Sequence, residues 1–187
     1  MFFRDSNGRG RSDGSRALGS PFDRTGRCTY EIAMRGEDEG QMDWTVATAS
    51  DGKRTVTFHY ERGAEAFDTT LTGTQESIET ELITTPARPF LSIVLFPSVQ
   101  LLIGDGEPRV GDRHTFPVAG REGTLEITGT GTHLGIEGYT SVWKVDGERR
   151  YEDCVALDLG LVLSATYYSS GDTAAFLQAE LVKYERD

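Results

Sequence analysis

Two short joints rich in Asp and Gly, set inside one alternating stretch, constrain this chain more than any other feature. Residues 123–168 read GTLEITGTGTHLGIEGYTSVWKVDGERRYEDCVALDLGLVLSATYY. Strand-like runs cover 124–128, 139–146, 150–158 and 161–168, and the joints are Asp146-Gly147-Glu148 and Asp158-Leu159-Gly160. An Asp-Gly pair between alternating runs marks a tight hairpin, because both central residues of a type I′ turn need positive φ. This third of the chain is therefore read as an antiparallel meander. Glycines 129, 131, 135 and 138 interrupt its first half, which is how a sheet bulges and curls.

The alternation extends upstream. Tyr30, Ile32 and Met34 alternate with Glu31 and Ala33; Trp44 and Val46 with Thr45 and Ala47; Val56, Phe58 and Tyr60 with Thr57, His59 and Glu61. Further runs are read at 67–71 and 77–83, the second with Glu79 and Glu81 on its solvated face. His114, Phe116 and Val118 resume the pattern, and Pro117 suggests an edge strand. Residues 174–184 fit a strand or a short helix, and their Phe176, Val182 and Tyr184 favour a strand. The apolar run 90–96, FLSIVLF, follows Thr85-Pro86 and precedes Pro97. Periodicity over so few residues does not separate helix from strand. A proline near its start favours a short helix plugging one end of the sheet. The expected fold class is all-β: one curved antiparallel sheet of about ten strands, a half-barrel or barrel, with at most one short helix. Residues 1–27, with six Arg and much Gly and Ser, are read as a flexible basic tail. Residues 28–187 are read as a single antiparallel β domain.

The net charge is −11, and residues 1–27 contribute +3 of it, so the remainder carries −14. An acidic body repels phosphate backbones, so no nucleic-acid partner is expected. No run reaches the ~20 apolar residues of a membrane helix, and the N-terminus has no apolar leader region. As written, the chain reads as cytoplasmic. Cys28 and Cys154 are too far apart for a redox or metal knuckle. Either they are buried free thiols or they form a disulfide tying the first strand to the meander. By strand phase, Cys28 shares a face with Tyr30, whereas Cys154 faces away from Val155. That opposition favours free thiols.

No catalytic constellation stands out. The three histidines, His59, His114 and His133, form no ligand pair, and the acidic loops 36–40 and 104–112 lack the EF-hand pattern. There is no nucleophile elbow, and neither Gly8-x-Gly10 nor Gly129-x-Gly131 precedes a helix. No enzyme, cofactor or metal is expected. The remaining signal is aromatic: most of the large rings lie on the apolar phase of strands. They are either core or the lining of a site for an apolar or lipid-like ligand. The candidate ligand-binding residues are Trp44, Phe58, Tyr60, Phe90, Phe96, Phe116, Trp143 and Tyr167. The alternative is a filled-core interaction protein that docks a protein partner. The oligomeric state is left open.

One resemblance bears on this choice. A strand opens with Tyr30-Glu31-Ile32, hairpins follow, then the proline-framed apolar segment, then Gly111-Asp112 before a strand. Asp153-Cys154-Val155-Ala156-Leu157-Asp158-Leu159-Gly160-Leu161-Val162-Leu163 closes the order. This order resembles the DUF3108 and LolA-like half-barrel proteins of bacterial envelopes. The resemblance implies a curved antiparallel sheet with a short helical plug, lipid or lipoprotein handling, a place in the cell envelope and no catalytic residues. The chain departs from that pattern in having no visible signal peptide, and Thr25-Gly26-Arg27 before Cys28 is not a lipobox.

Overall fold

The computed structural model describes residues 21–22, 24–49, 51–95 and 108–186. Most of the expected tail, Phe96 and Pro97 lie outside the described residues. Ten strands and two helices follow in order: β1 (Gly26–Met34), β2 (Gly40–Thr48), β3 (Arg54–Arg62), β4 (Glu65–Gly73), α1 (Gln75–Leu82), α2 (Arg88–Leu95), β5 (Arg113–Val118), β6 (Arg121–His133), β7 (Ile136–Val145), β8 (Glu148–Ala156), β9 (Leu161–Tyr168) and β10 (Ala175–Arg186). They form one sheet in the order β4-β3-β2-β1-β10-β9-β8-β7-β6-β5. Neighbouring strands are antiparallel throughout. The first four strands step outward from the middle by hairpins. The last six step back from the other edge, and β10 closes against β1. Among the described residues the sheet stays open, with β4 and β5 as its outer strands.

Turn chemistry fixes the meander as the alternation implied. Asp146 and Gly147 have φ of 50° and 81°, the double positive φ of a type I′ turn. The Asp146 carboxylate accepts from the Glu122 N–H at 3.0 Å and from Arg121 Nε at 2.6 Å, tying the β7–β8 turn to the start of β6. The proline in β5 sits on an outer strand, where a missing N–H costs no ladder bond.

The run at 77–83 is not a strand. It belongs to α1, and the reason lies in a coincidence of periods. Ile78 and Leu82 share a face in a strand and equally, as i and i+4, on a helix. Local capping settles the choice. Thr74 is the N-cap, its side chain accepting from the Ser77 N–H. Gln75 donates to Glu79 at 2.9 Å, and the Thr80 hydroxyl donates to the Glu76 carbonyl at 2.7 Å. Ile78 and Leu82 are the buried pair. The expected plug is α2, which buries Phe90, Leu91, Ile93, Val94 and Leu95, so the described residues carry two short helices where one at most was expected.

Directly opposed residues of an antiparallel pair share a face, so the register shows what lies under α2. Ser141, Asp153, Ala165, Ala179 and Ile32 succeed one another across β7, β8, β9, β10 and β1. The short side chains of Ala165 and Ala179, both nearly fully buried, leave room for α2, which rests on β9 and β10. Leu181, Tyr30, Met42 and Tyr60 form the next row on the same face. Tyr30 stacks on Trp44 with ring centroids 5.1 Å apart and donates to the Val162 carbonyl at 2.7 Å. Phe22 sits edge-on to Trp44 and is fully buried, so chain upstream of β1 also seals the core.

Candidate functional site

The candidate site grows from one cross-strand row. His114 on β5 opposes Leu125 on β6; Leu125 opposes Trp143 on β7; Trp143 opposes Tyr151 on β8; Tyr151 opposes Tyr167 on β9. All five therefore share the face that carries α2. A bulge creates the row. The β7–β8 register steps from Lys144↔Arg149 to Trp143↔Tyr151, so Arg150 is the unpaired extra residue. Without that step Trp143 would face Arg150. The displaced Arg150 is itself buried, pairing with Glu148 at 3.0 Å and the Ser170 hydroxyl at 2.6 Å.

Helix α2 covers the middle of this row. The Tyr151 hydroxyl donates to the Ile93 carbonyl at 3.0 Å. Burial, with Asp153 beside it, pushes that phenol well above its ordinary range, so it stays a neutral donor at any ordinary pH. Asp153 in turn accepts from the buried Ser141 hydroxyl at 2.5 Å.

On the β5–β7 side the rings are less covered. Phe116 lies 5.8 Å from His114 and 6.0 Å from Trp143, centroid to centroid. Phe116 and Trp143 are both half-buried, and His114 is exposed. The Phe116 ring leans over Gly123, where a Cβ would stand 2.8 Å from its edge and 2.7 Å from Val118, so a larger residue here would push both side chains aside. The Trp143 indole N–H is cut off from solvent and has no hydrogen-bond partner. Such an orphan costs about 1–3 kcal/mol. The N–H of the core residue Trp44 is orphaned as well, but Trp44 is fully buried whereas the Trp143 ring is not.

The expected ligand residues thus divide. Trp44, Phe58, Tyr60 and Phe90 are sealed in the core, at 1% exposure or less. Tyr60 and Phe90 pack at 6.3 Å, and the Arg62 guanidinium lies 5.7 Å over the Phe90 ring. Phe116 and Trp143 come together. Tyr167, 38% exposed, lies on the far side of Tyr151 and meets Phe176 edge-on. Phe96 lies outside the described residues. Sequence reasoning missed His114, which it placed on an edge strand and gave no role. Its place follows only from the β5–β6 register.

At the opposite end of the strands a crevice of about 10 Å³ lies between Cys28, Trp44, Leu159, Leu161 and Tyr184, room for about one water. Among the described residues no group of three or more His, Cys, Asp or Glu could hold a metal. No helix among them is long and apolar enough to cross a membrane. Both cysteines are free and buried. Cys28 opposes Trp44 on the α2 face, whereas Cys154 neighbours Asp153 and opposes Thr140 and Ser164 on the other face, the arrangement strand phase implied.

No family model and no curated protein sequence matches the chain. Solved structures do. MucB in complex with MucA(peri) is similar at a TM-score of 0.55 and 12% identity, over 92% of this chain and 53% of that one. The Pseudomonas aeruginosa MucA/MucB complex is similar at 0.51 and 13%, over 90% of this chain and 54% of that one. A LolA superfamily protein from Nitrosomonas europaea aligns over 92% of this chain and 90% of its own, but at 8% identity and a TM-score of 0.26 that likeness carries no argument. The chain spans about half the length of the MucB structures it matches, and at such identities the likeness is one of fold. The curved sheet described above is therefore a fold that about half of the MucB chain also adopts.

Proposed function

We propose that this protein is a non-enzymatic binding module that takes an apolar, lipid-like ligand on the aromatic row beside α2. The observation that carries this reading is the grouping of Phe116 and Trp143. Their rings are part-exposed on the α2 face, and an unpartnered indole N–H stands among them. An acyl chain would lie on the part-exposed faces of the Phe116 and Trp143 rings. Trp44, Phe58, Tyr60 and Phe90 take no part in the site, because none of them reaches solvent. The resemblance of the strand rhythm to DUF3108 and LolA-like half-barrels supports the same reading.

A second reading has its own support. The packed interior under α1 and α2 suits a protein that docks a polypeptide partner, and a MucB structure in this fold class was solved with MucA(peri). A fluorescent fatty acid separates the two readings. The purified chain is expected to bind it saturably, and Trp143→Ala should weaken binding about tenfold, roughly 1.4 kcal/mol. Trp44→Phe, tested for retained folding, should leave the affinity unchanged. Absence of saturable binding to the wild-type chain sinks the ligand reading and leaves the partner reading.

A further inference from the structure

We propose that strand β4 is a self-association edge, through which two copies of this chain pair antiparallel about Thr69. The proposal does not rest on the ligand reading. Among the described residues β3 is the one strand beside β4. The two-residue turn between β3 and β4 closes on the pair Arg62↔Glu65. A two-residue hairpin makes its closing pair a hydrogen-bonded one, and such pairs alternate along the ladder. Residues 65, 67, 69, 71 and 73 therefore bond to β3. Ala66, Asp68, Thr70 and Thr72 aim their N–H and C=O groups outward.

Among the described residues this edge is guarded only by the carboxylates Glu65 and Asp68, with no proline, lysine or bulge. β4 has nine residues, and its register with β3 is unbroken from Arg54↔Gly73 to Arg62↔Glu65. The other outer strand, β5, has six residues and contains Pro117.

The sequence of β4 is self-complementary in one register. Antiparallel pairing about Thr69 sets Asp68 against Thr70 of the second copy, Glu65 against Gly73 and Phe67 against Leu71. No carboxylate then meets a carboxylate. Phe67 and Leu71, half-buried at the rim of the core, cover one another on the α2 face. Pairing about Asp68 would set Asp68 on its own copy, and pairing about Thr70 would set Phe67 against Gly73, losing the apolar contact. An isologous pair of this kind closes on itself and joins the two sheets into one.

Sedimentation of the full chain over roughly two decades of concentration tests this. A reversible monomer–dimer equilibrium is expected, and three variants of the exposed Thr70 identify the edge and register. Thr70→Asp sets a second carboxylate against Asp68 and should weaken the dimer at least about tenfold, whereas Thr70→Lys sets an ammonium there and should tighten it. Thr70→Pro removes an outward N–H that β3 does not use and should abolish the dimer; thermal melts check that each variant stays folded. A chain that is monomeric at every concentration overturns the proposal. So does a dimer that the Asp and Lys variants shift in the same direction, or that none of the three alters.

Discussion

Cys28 shows how far burial alone sets the chemistry of a side chain in this fold. It lies on the α2 face opposite Trp44 and is 4% exposed, and burial pushes its thiol from an ordinary 9.0 up to about 12. Cys154 is raised too, by burial first and then by the charge of Asp153. Neither sulfur is therefore poised as a nucleophile. A folded-state pKa above the unfolded one means that the unfolded chain releases its proton first as pH rises. Stability should be insensitive to Cys28 below about pH 9. Between about pH 9 and 12 it should fall by up to about 1.4 kcal/mol per pH unit. Cys28→Ala, compared with wild type in denaturant melts across that range, should remove this part of the slope; an unchanged slope would refute the assignment. A thiol reagent at pH 8 should find no fast-reacting group in the native protein and two in the denatured one. At this scale the sequence was legible. The phases of Cys28 and Cys154 follow from simple alternation, which local backbone sterics impose on any strand.

At the scale of the element, α2 is the piece whose position matters most. Its five buried apolar residues make it a plug, and Ala165 and Ala179 give it a seat. The bond from Tyr151 to the Ile93 carbonyl fixes the helix over the aromatic row. Tyr151→Phe should cost about 1 kcal/mol through that lost bond. Leu91→Ala should cost about 2–5 kcal/mol through a cavity in a sealed interior. Chemical denaturation measures both, and equal small losses for the two would mean that α2 is not packed as described. Proline framing made this helix readable from sequence, where continuous apolarity alone left helix and strand open. The strand expected at residues 77–83 failed because Ile78 and Leu82 satisfy both periods. The Thr74 cap and the Gln75–Glu79 pair favour the helix, and over a segment so short they outweigh alternation.

For the whole molecule the governing quantity is charge. The chain carries −11, and several carboxylates crowd the face of the sheet away from α2. Glu31 stands between Glu180 and Gln41, and Asp43 opposes His59, which opposes Asp68. The Asp68 carboxylate, 2.7 Å from Nδ1, raises the His59 pKa, one local relief of this negative field. Self-repulsion of this kind destabilises the compact state and is screened by salt. The melting temperature should therefore rise by a few degrees between low salt and about 1 M NaCl. A fall would mean that exposed pairs such as Arg35–Asp172 and Arg121–Asp146 contribute more than the repulsion costs.

Alternation, Asp-Gly turns and a proline on an outer strand were enough to determine the all-β class, about ten strands and an apolar plug. Each follows from forces acting within a few residues of chain. The site was not accessible in that way. Trp44, Phe58 and Tyr60 read like Phe116 and Trp143 in the sequence, since all lie on the apolar phase. Tertiary structure alone decided that the first three lie in the sealed core and the last two at its margin. The row from His114 to Tyr167 exists because one bulge displaces Arg150 and brings Tyr151 opposite Trp143. A bulge depends on how two strands twist against their neighbours, and no local pattern in either strand records it.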